Sequence, residues 1–291
     1  MNPIDSHPAA LLLALGAAVC FGGALVVTQF GLRHTTPLWG AAISIIATVV
    51  FWWPISGVFI DWAETRPDAL ILFALVGLFY PALVMMLTYE SNRILGPTLT
   101  GTASSTTPVF AVVSSVLLLG ERPSVTVVLG CMIVVMGLAT LSMKAPMRLP
   151  SRWHVMLPLA AAMLRGIAQS LLKLGLIAHP SPFTAALVSY TVSAAVVWSA
   201  AAGRSAPGAR RLTKKSVMWF VCVAALNGTA VMMMCYALQY GSVAIVSPVI
   251  ATYPLFTIVF SATLLQREEL TWKTITGAML TVAGVAIISG G

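Results

Sequence analysis

The chain alternates between long apolar stretches and short polar separators rich in charge, proline and glycine. A helix needs roughly 20 residues to cross the ~30 Å hydrocarbon core of a bilayer, and the apolar stretches have that length. The predicted spans are 9–32, 37–59, 69–89, 98–118, 124–142, 153–174, 182–202, 216–238, 244–264 and 272–289. The pattern therefore predicts an all-α integral membrane protein with ten transmembrane helices and no soluble domain.

The second half of the chain repeats the first, with five predicted spans in each half. Matched residues recur in the same order: Pro108 and Pro254, Phe110 and Phe256, Gly130 and Gly277, Gly137 and Gly284, Tyr80 and Asn227. Because five is odd, the second half must be inverted relative to the first. We predict two inverted five-helix repeats, residues 1–146 and 147–291, around a central cavity, as in many secondary transporters.

Glycines and prolines mark special backbone positions in these spans. The seven-residue glycine spacing predicts close packing of the fifth and tenth spans, against each other or against neighbours. Among the prolines inside spans are Pro81, Pro108, Pro248 and Pro254. Proline kinks a membrane helix where neighbouring groups can bond the freed backbone. Each proline is therefore either a fixed kink that shapes the bundle or a hinge for a moving helix.

Composition excludes several classes of protein. Hydrophobic residues make up 59% of the chain and charged residues 8%, whereas soluble domains carry about 25% charged residues. A soluble enzyme, a disordered protein and a nucleic-acid binder are all excluded. The net charge of +8 comes from bases in short loops, where membrane proteins place them for topological reasons. No nucleic-acid partner is expected, and the scattered cysteines are expected to be buried hydrophobic residues.

Motifs for enzyme chemistry are absent from the sequence. There is no HExxH, GxSxG or P-loop motif and no pair of carboxylates within a span. All four histidines lie in or beside predicted loops. A membrane enzyme needs a nucleophile with its base, or a metal. We therefore expect no enzymatic activity, no catalytic residue, no metal and no cofactor.

Two short acidic loops and one aromatic run connect the chain to a known family. The loops are Leu119-Gly120-Glu121-Arg122 and Gln266-Arg267-Glu268-Glu269, and the run is Tyr236-Ala-Leu-Gln-Tyr240-Gly241. With the proline spans and spaced glycines, they resemble the EamA-like branch of the drug/metabolite transporter (DMT) superfamily over nearly the whole chain. The resemblance implies ten helices, a cavity lined by spans one, three, four, six, eight and nine, and export or exchange of small metabolites, often amino acids. Phe21 stands where that family often has Trp, and Arg165 occupies the matching position of span six.

Arg165 lies near the middle of its predicted span, where an arginine costs about 2.5–3.5 kcal/mol on insertion scales. No Asp or Glu lies well inside any span to pair with it. One hypothesis is that helix-end carbonyls, water and hydroxyls such as Ser104 or Ser247 satisfy it. The other is that the missing counter-ion is the substrate, because a guanidinium matches carboxylate, phosphate or sulfonate in bidentate fashion.

Other polar, aromatic and small residues complete the predicted substrate site. Gln169 shares the helix face of Arg165 at i+4, whereas Lys173 is expected to extend to the lipid headgroups. The methionines are either core filling or a flexible cavity lining. The predicted substrate-binding residues are Arg165, Gln169, Phe21, Gly22, Tyr80, Asn227, Tyr89, Tyr236, Met85 and Met232.

These residues predict a secondary transporter, an exporter or exchanger that works by alternating access. Its substrates are expected to be amino acids or other small carboxylate-bearing anions or zwitterions, with Arg165 as the anion-binding residue. The alternatives are a multidrug or cation efflux carrier of the same superfamily and a non-transporting membrane protein. No Asp, Glu or His lies deep in a span, so transport coupled to protons is not expected.

The same features predict the cellular location and the membrane orientation of the protein. A multi-pass protein of the cell inner (plasma) membrane is expected, monomeric, with its substrate and membrane lipid as its partners. Two arguments conflict on orientation. The family resemblance implies that both termini are cytoplasmic, whereas basic residues concentrate in the loops opposite the termini. Positive loops stay inside, which puts both termini outside.

Overall fold

The computed structural model describes residues 8–104, 106–142, 152–202, 213–265 and 272–290. Every regular element in these ranges is helical, with no strand. The α-helices are α1 (Pro8–Leu32), α2 (Pro37–Trp52), α3 (Ser56–Phe59), α4 (Pro67–Gly77), α5 (Ala82–Ser104), α6 (Thr107–Leu119), α7 (Val125–Ser142), α8 (Met156–Ala178), α9 (Pro182–Ala202), α10 (Lys214–Tyr240), α11 (Val243–Ile250), α12 (Tyr253–Phe260) and α13 (Trp272–Gly290). The predicted repeat boundary and the loop Gln266–Glu269 lie outside the described residues.

Seven helical segments in the described ranges are long and apolar enough to cross a membrane. They are Pro8–Leu32, Pro37–Phe59, Pro67–Gly101, Met156–Ala178, Pro182–Ala202, Lys214–Tyr240 and Val243–Leu264. Shorter apolar helices, Thr107–Leu119, Val125–Gly137 and Met279–Ile288, overlap the three remaining predicted spans. The all-α membrane architecture is confirmed at this level.

The third and fourth predicted spans, 69–89 and 98–118, have other boundaries in the structure. Helix α5 continues through the polar stretch that was expected to separate them, and Glu90 and Arg93 form an exposed ion pair on its surface. The backbone leaves helical geometry only at Gly96, with φ of 82°. A residue before proline avoids the α region, and glycine accepts positive φ without a Cβ penalty. The charged residues Glu90 and Arg93 therefore do not mark the boundary between the two spans.

Prolines divide several spans into two helices. Pro81 lies in the turn between α4 and α5 after a cis peptide bond, and Pro248 lies inside α11. Pro108 and Pro254 lie in the first turns of α6 and α12, where a missing N–H leaves no helical bond unmade. The spans 98–118 and 244–264 are therefore each broken ahead of the proline. Their role as hinges remains a prediction.

A neighbouring helix satisfies the backbone at the Pro81 break. Proline cannot donate to the carbonyl of Gly77, and the Ser193 hydroxyl of α9 donates to that carbonyl instead, at 2.5 Å. The amide of Ala82 donates to the same hydroxyl oxygen at 3.1 Å. All these groups are buried. One serine thereby holds the turn that carries Tyr80.

Helices of the two halves pack against each other through phenylalanine on glycine. The ring of Phe220 on α10 lies against Gly31 on α1, and the ring of Phe73 on α4 lies against Gly175 on α8. A Cβ at either glycine would come within 2.6 Å of the ring. Each half therefore contributes the phenylalanine to one of these contacts and the glycine to the other.

The spaced glycines join α7 to α13. A Cβ on Gly130 would lie 2.8 Å from the carbonyl oxygen of Gly284, and one on Gly137 would lie 2.7 Å from the Thr281 hydroxyl. Glycine lets two membrane helices approach this closely. The expected close packing of the fifth and tenth spans is confirmed, and their partners are each other.

Ser193→Ala should destabilise the fold by about 1–3 kcal/mol, because it leaves the Gly77 carbonyl and the Ala82 amide buried without a partner. Ser199→Ala, at an exposed position of the same helix, is the matched control. Thermal denaturation of both purified variants in one detergent measures the difference. Equal melting temperatures would contradict the role given to Ser193.

Candidate functional site

A cavity with an empty volume of about 540 Å³, its mouth included, lies among α1, α5, α8, α9, α10 and α12. Its aromatic lining consists of Phe21, Tyr80, Tyr89, Tyr190 and Tyr253. Its polar lining groups include Thr28, Thr88, Arg165 and Asn227. Mostly apolar walls with a few placed polar groups are typical of small-molecule sites. Helix α9 contributes here although the family resemblance did not imply it, and no lining residue comes from the fourth predicted span.

Arg165 projects from the middle of α8 into this cavity and is half-buried. Its Nη2 lies 3.4 Å from the Thr88 hydroxyl oxygen, a long hydrogen bond. The ion pairs within the described ranges, Arg66–Asp68 and Arg93–Glu90, are both exposed and involve other residues. No carboxylate from the described ranges pairs with Arg165.

Ser104 and Ser247, the two hydroxyls named in the first hypothesis, do not bond Arg165. Both hydroxyls are buried and have no hydrogen-bond partner in the described structure. Ser104 ends α5 and Ser247 lies within α11, and neither lines the cavity. The hydroxyl that Arg165 does reach belongs to Thr88, one turn from Met85 on the same helix.

Tyr89 belongs to the cavity wall rather than to the membrane interface. Its hydroxyl accepts a hydrogen bond from Asn227 Nδ2 at 3.3 Å and donates to Ser44 Oγ at 3.5 Å. The Ser44 hydroxyl in turn donates to the Gly40 carbonyl at 2.9 Å. This chain links α10, α5 and α2 and fixes one side of the cavity. Tyr240, by contrast, is 46% exposed.

Six of the predicted substrate-binding residues line the cavity, and four lie elsewhere. The lining residues are Arg165, Phe21, Tyr80, Asn227, Tyr89 and Met85, and the others are Gln169, Gly22, Tyr236 and Met232. A Cβ on Gly22 would lie 2.8 Å from the Tyr253 carbonyl oxygen, so this glycine serves helix packing. Gln169 is buried, with its Nε2 3.8 Å from the Met234 sulfur. The Tyr80 hydroxyl lies 3.9 Å from the same sulfur.

Sequence reasoning missed four lining residues that carry a hydroxyl group: Thr28, Thr88, Tyr190 and Tyr253. Tyr190 carried a usable indication, because it lies in the middle of the span 182–202 rather than at an end where interfacial tyrosines concentrate. The two threonines gave no such indication, because the hydroxyl of a threonine in an apolar span most simply donates a hydrogen bond to a backbone carbonyl of its own helix. Thr28 does so, donating to the Ala24 carbonyl at 2.8 Å.

Lys173 does not extend to the headgroups, so that expectation is wrong. Its Nζ donates to the carbonyls of Leu238 at 2.6 Å and Gly241 at 3.0 Å, at the end of α10. The last carbonyls of a helix lack internal partners and carry partial negative charge. Gln29, the equivalent residue of the first half, likewise donates to the Asn92 carbonyl at 2.6 Å.

Glu121 completes a charged cap at the break between α10 and α11. Its carboxylate oxygens accept from the amides of Val243 at 3.0 Å and Ala244 at 3.2 Å, the first residues of α11. A carboxylate at a helix N-terminus and an ammonium at a helix C-terminus both complement the helix dipole. The acidic loop between α6 and α7 is thereby tied to the second half of the chain.

Long apolar helices around a central cavity are the architecture typical of multi-pass membrane transporters. The model of the EamA-like transporter family matches residues 8–143 and 152–290, once in each half. The chain belongs to this family of DMT-superfamily membrane transporters. Its members are transporters rather than enzymes.

The fold also matches solved structures. One of them, described only as a crystal structure of a protein, superposes with a TM-score of 0.74 over 96% of this chain and 95% of its own, at 14% sequence identity. That likeness establishes the fold alone. A search of curated proteins found no match.

Lys173→Met should destabilise the fold by about 1–3 kcal/mol, because it leaves carbonyls at the end of α10 without donors. Lys215→Met, at an exposed position of α10, removes the same charge and serves as the control. Differential scanning fluorimetry of both variants in detergent measures the change. If Lys173 extended to the headgroups instead, the two variants would have the same melting temperature.

Proposed function

We propose that this protein is a secondary transporter, an exporter or exchanger, of small carboxylate-bearing organic anions, amino acids among them. Arg165 is its anion-binding residue. The supporting observation is a guanidinium in the cavity with one long contact, to Thr88, and no acidic partner in the described structure. A carboxylate would supply the missing charge and two acceptors in the plane of the guanidinium.

The proposed mechanism is alternating access in a bundle of ten spans arranged as two inverted repeats in the plasma membrane. The repeated phenylalanine-on-glycine contacts and the family match in each half support this arrangement. The breaks beside Pro81, Pro108, Pro248 and Pro254 would serve as hinges, since helix-terminal residues absorb backbone rotation during such motions. The substrate would bind between the two halves and be released to either side.

A lipophilic-cation carrier is the second candidate, and the five aromatic rings of the cavity favour it. Aromatic faces attract cations. Arg165 opposes this candidate because a cationic substrate would meet a like charge in a cavity whose described lining contains no carboxylate. The two candidates therefore differ in the sign of the charge on the ligand that binds in the cavity.

Replacing Arg165 with Gln should weaken binding of carboxylates about tenfold to a hundredfold, since a charge-assisted hydrogen bond contributes about 1.5–3 kcal/mol. Arg165→Lys should retain part of the affinity because it keeps the charge but loses the planar fork. Thermal shifts of the purified protein with amino acids, organic acids, sulfonates and quaternary amines measure this. Arg93→Gln, which removes an exposed guanidinium, is the control. Stabilisation by cations alone, or anion binding unchanged in Arg165→Gln, would overturn the proposal.

Transport should not depend on a proton gradient. No Asp, Glu or His lies deep in a predicted span, and arginine does not release its proton at physiological pH. Uptake of benzenesulfonate, whose charge is constant, should be insensitive to an imposed pH difference when valinomycin and potassium clamp the membrane potential. A strong acceleration by that gradient would show that a titratable group takes part.

A further inference from the structure

Tyr190 lines the cavity and carries a hydroxyl that has no hydrogen-bond partner in the described structure. The residue lies on α9 and is 1% exposed. Trp52 packs against its ring at a centroid distance of 5.1 Å in an edge-on arrangement. Buried polar atoms nearly always have a partner. The fold thus leaves a buried donor unpaired on a residue that lines the cavity.

The Arg165 guanidinium and the Tyr80 hydroxyl are two further lining groups that can donate. Arg165 makes only its long contact to Thr88, and the Tyr80 hydroxyl has only the Met234 sulfur at 3.9 Å. Asn227 and Tyr89, in contrast, are engaged with each other. A ligand that accepts from these donors therefore offers acceptors at more than one position.

The ligand's second acceptor is expected to be uncharged. Arg165 is the one cationic side chain in the described lining of the cavity. A second carboxylate would enter an apolar site without a counter-ion, which is costly. A ketone, hydroxyl or amide oxygen carries no such penalty and suits a phenol donor.

We propose that Tyr190 is a specificity-determining residue that donates a hydrogen bond to a neutral acceptor on the substrate, remote from the carboxylate held by Arg165. This inference rests on the proposed function and narrows its substrate class to monoanions with a keto, hydroxyl or amide group. A site built to bond such a group discriminates against analogues that lack it, because its own polar group is then left unpaired.

Matched acids that differ in one ketone test the proposal. The probes are 4-oxopentanoate against pentanoate, 5-oxohexanoate against hexanoate, and 6-oxoheptanoate against heptanoate, titrated on the purified full chain. The wild type should prefer at least one keto acid by about threefold to tenfold, the value of a single hydrogen bond. Tyr190→Phe should abolish that preference while binding the plain acid as before. Tyr240→Phe, which removes an exposed tyrosine hydroxyl, should retain it.

Stability separates a ligand-binding role from a structural one. Without ligand, Tyr190→Phe should melt at the wild-type temperature or above it, because it removes an unsatisfied buried hydroxyl. A lower melting temperature would mean that the hydroxyl supports the fold, and would overturn the proposal.

The remaining outcomes assign a failure to one proposal or the other. Equal affinity of the wild type for every keto and plain pair, or a preference that survives in Tyr190→Phe, would overturn the role of Tyr190 alone. If no acid binds, or if binding is unchanged in Arg165→Gln, the proposed function fails and the inference fails with it.

Discussion

Helices in a bilayer gain little hydrophobic free energy by packing, because the lipid is as apolar as their side chains, so close van der Waals contact must hold them together. Glycine provides that contact throughout this bundle. Phe220 and Phe73 occupy the space that a Cβ would take on Gly31 and Gly175. Gly130 and its partners on α13 bring two backbones together directly. The cavity persists because these contacts fix the helices around it.

The same packing orients Arg165. Gly166, the next residue of α8, lies so close to α6 that a Cβ would approach the amide nitrogen of Ala111 to 2.7 Å. Gly175, further along α8, is covered by the ring of Phe73. With α8 held at both places, the guanidinium is directed into the cavity rather than towards lipid. The cation that is costly to place within a span therefore lies at the site where we propose that an anion binds.

Much of the fold could be predicted because lipid imposes simple rules on sequence. Span length and the glycine spacing led to an all-helical bundle and to close packing of the fifth and tenth spans, whereas the structure shows that α7 and α13 are each other's partners. The boundary at Gly96 was missed because an exposed Glu90–Arg93 ion pair can remain on a helix surface. Charged residues in a sequence indicate exposed positions, and an exposed position can lie in the middle of a helix as well as at its end.

The site was harder to predict, since lining a cavity depends on which face each helix turns inwards. Arg165 was identifiable because a charge in mid-span has few explanations. Met85 and Met232 looked alike in the sequence, yet one lines the cavity and the other does not. Lys173 was misassigned because its partners are backbone carbonyls of α10, which no residue pattern reveals.

The pairing of α1 with α10 has a consequence for how the protein is made. Phe220, which fills the groove at Gly31, belongs to the other half of the chain. About 180 residues separate the end of α1 from the start of α10, so at roughly 5–20 residues per second the ribosome takes on the order of 10–40 s to supply the partner. During that interval the groove at Gly31 lacks the ring that fills it in the folded protein. Biogenesis therefore leaves an early helix without one of its native partners until a late helix has been made.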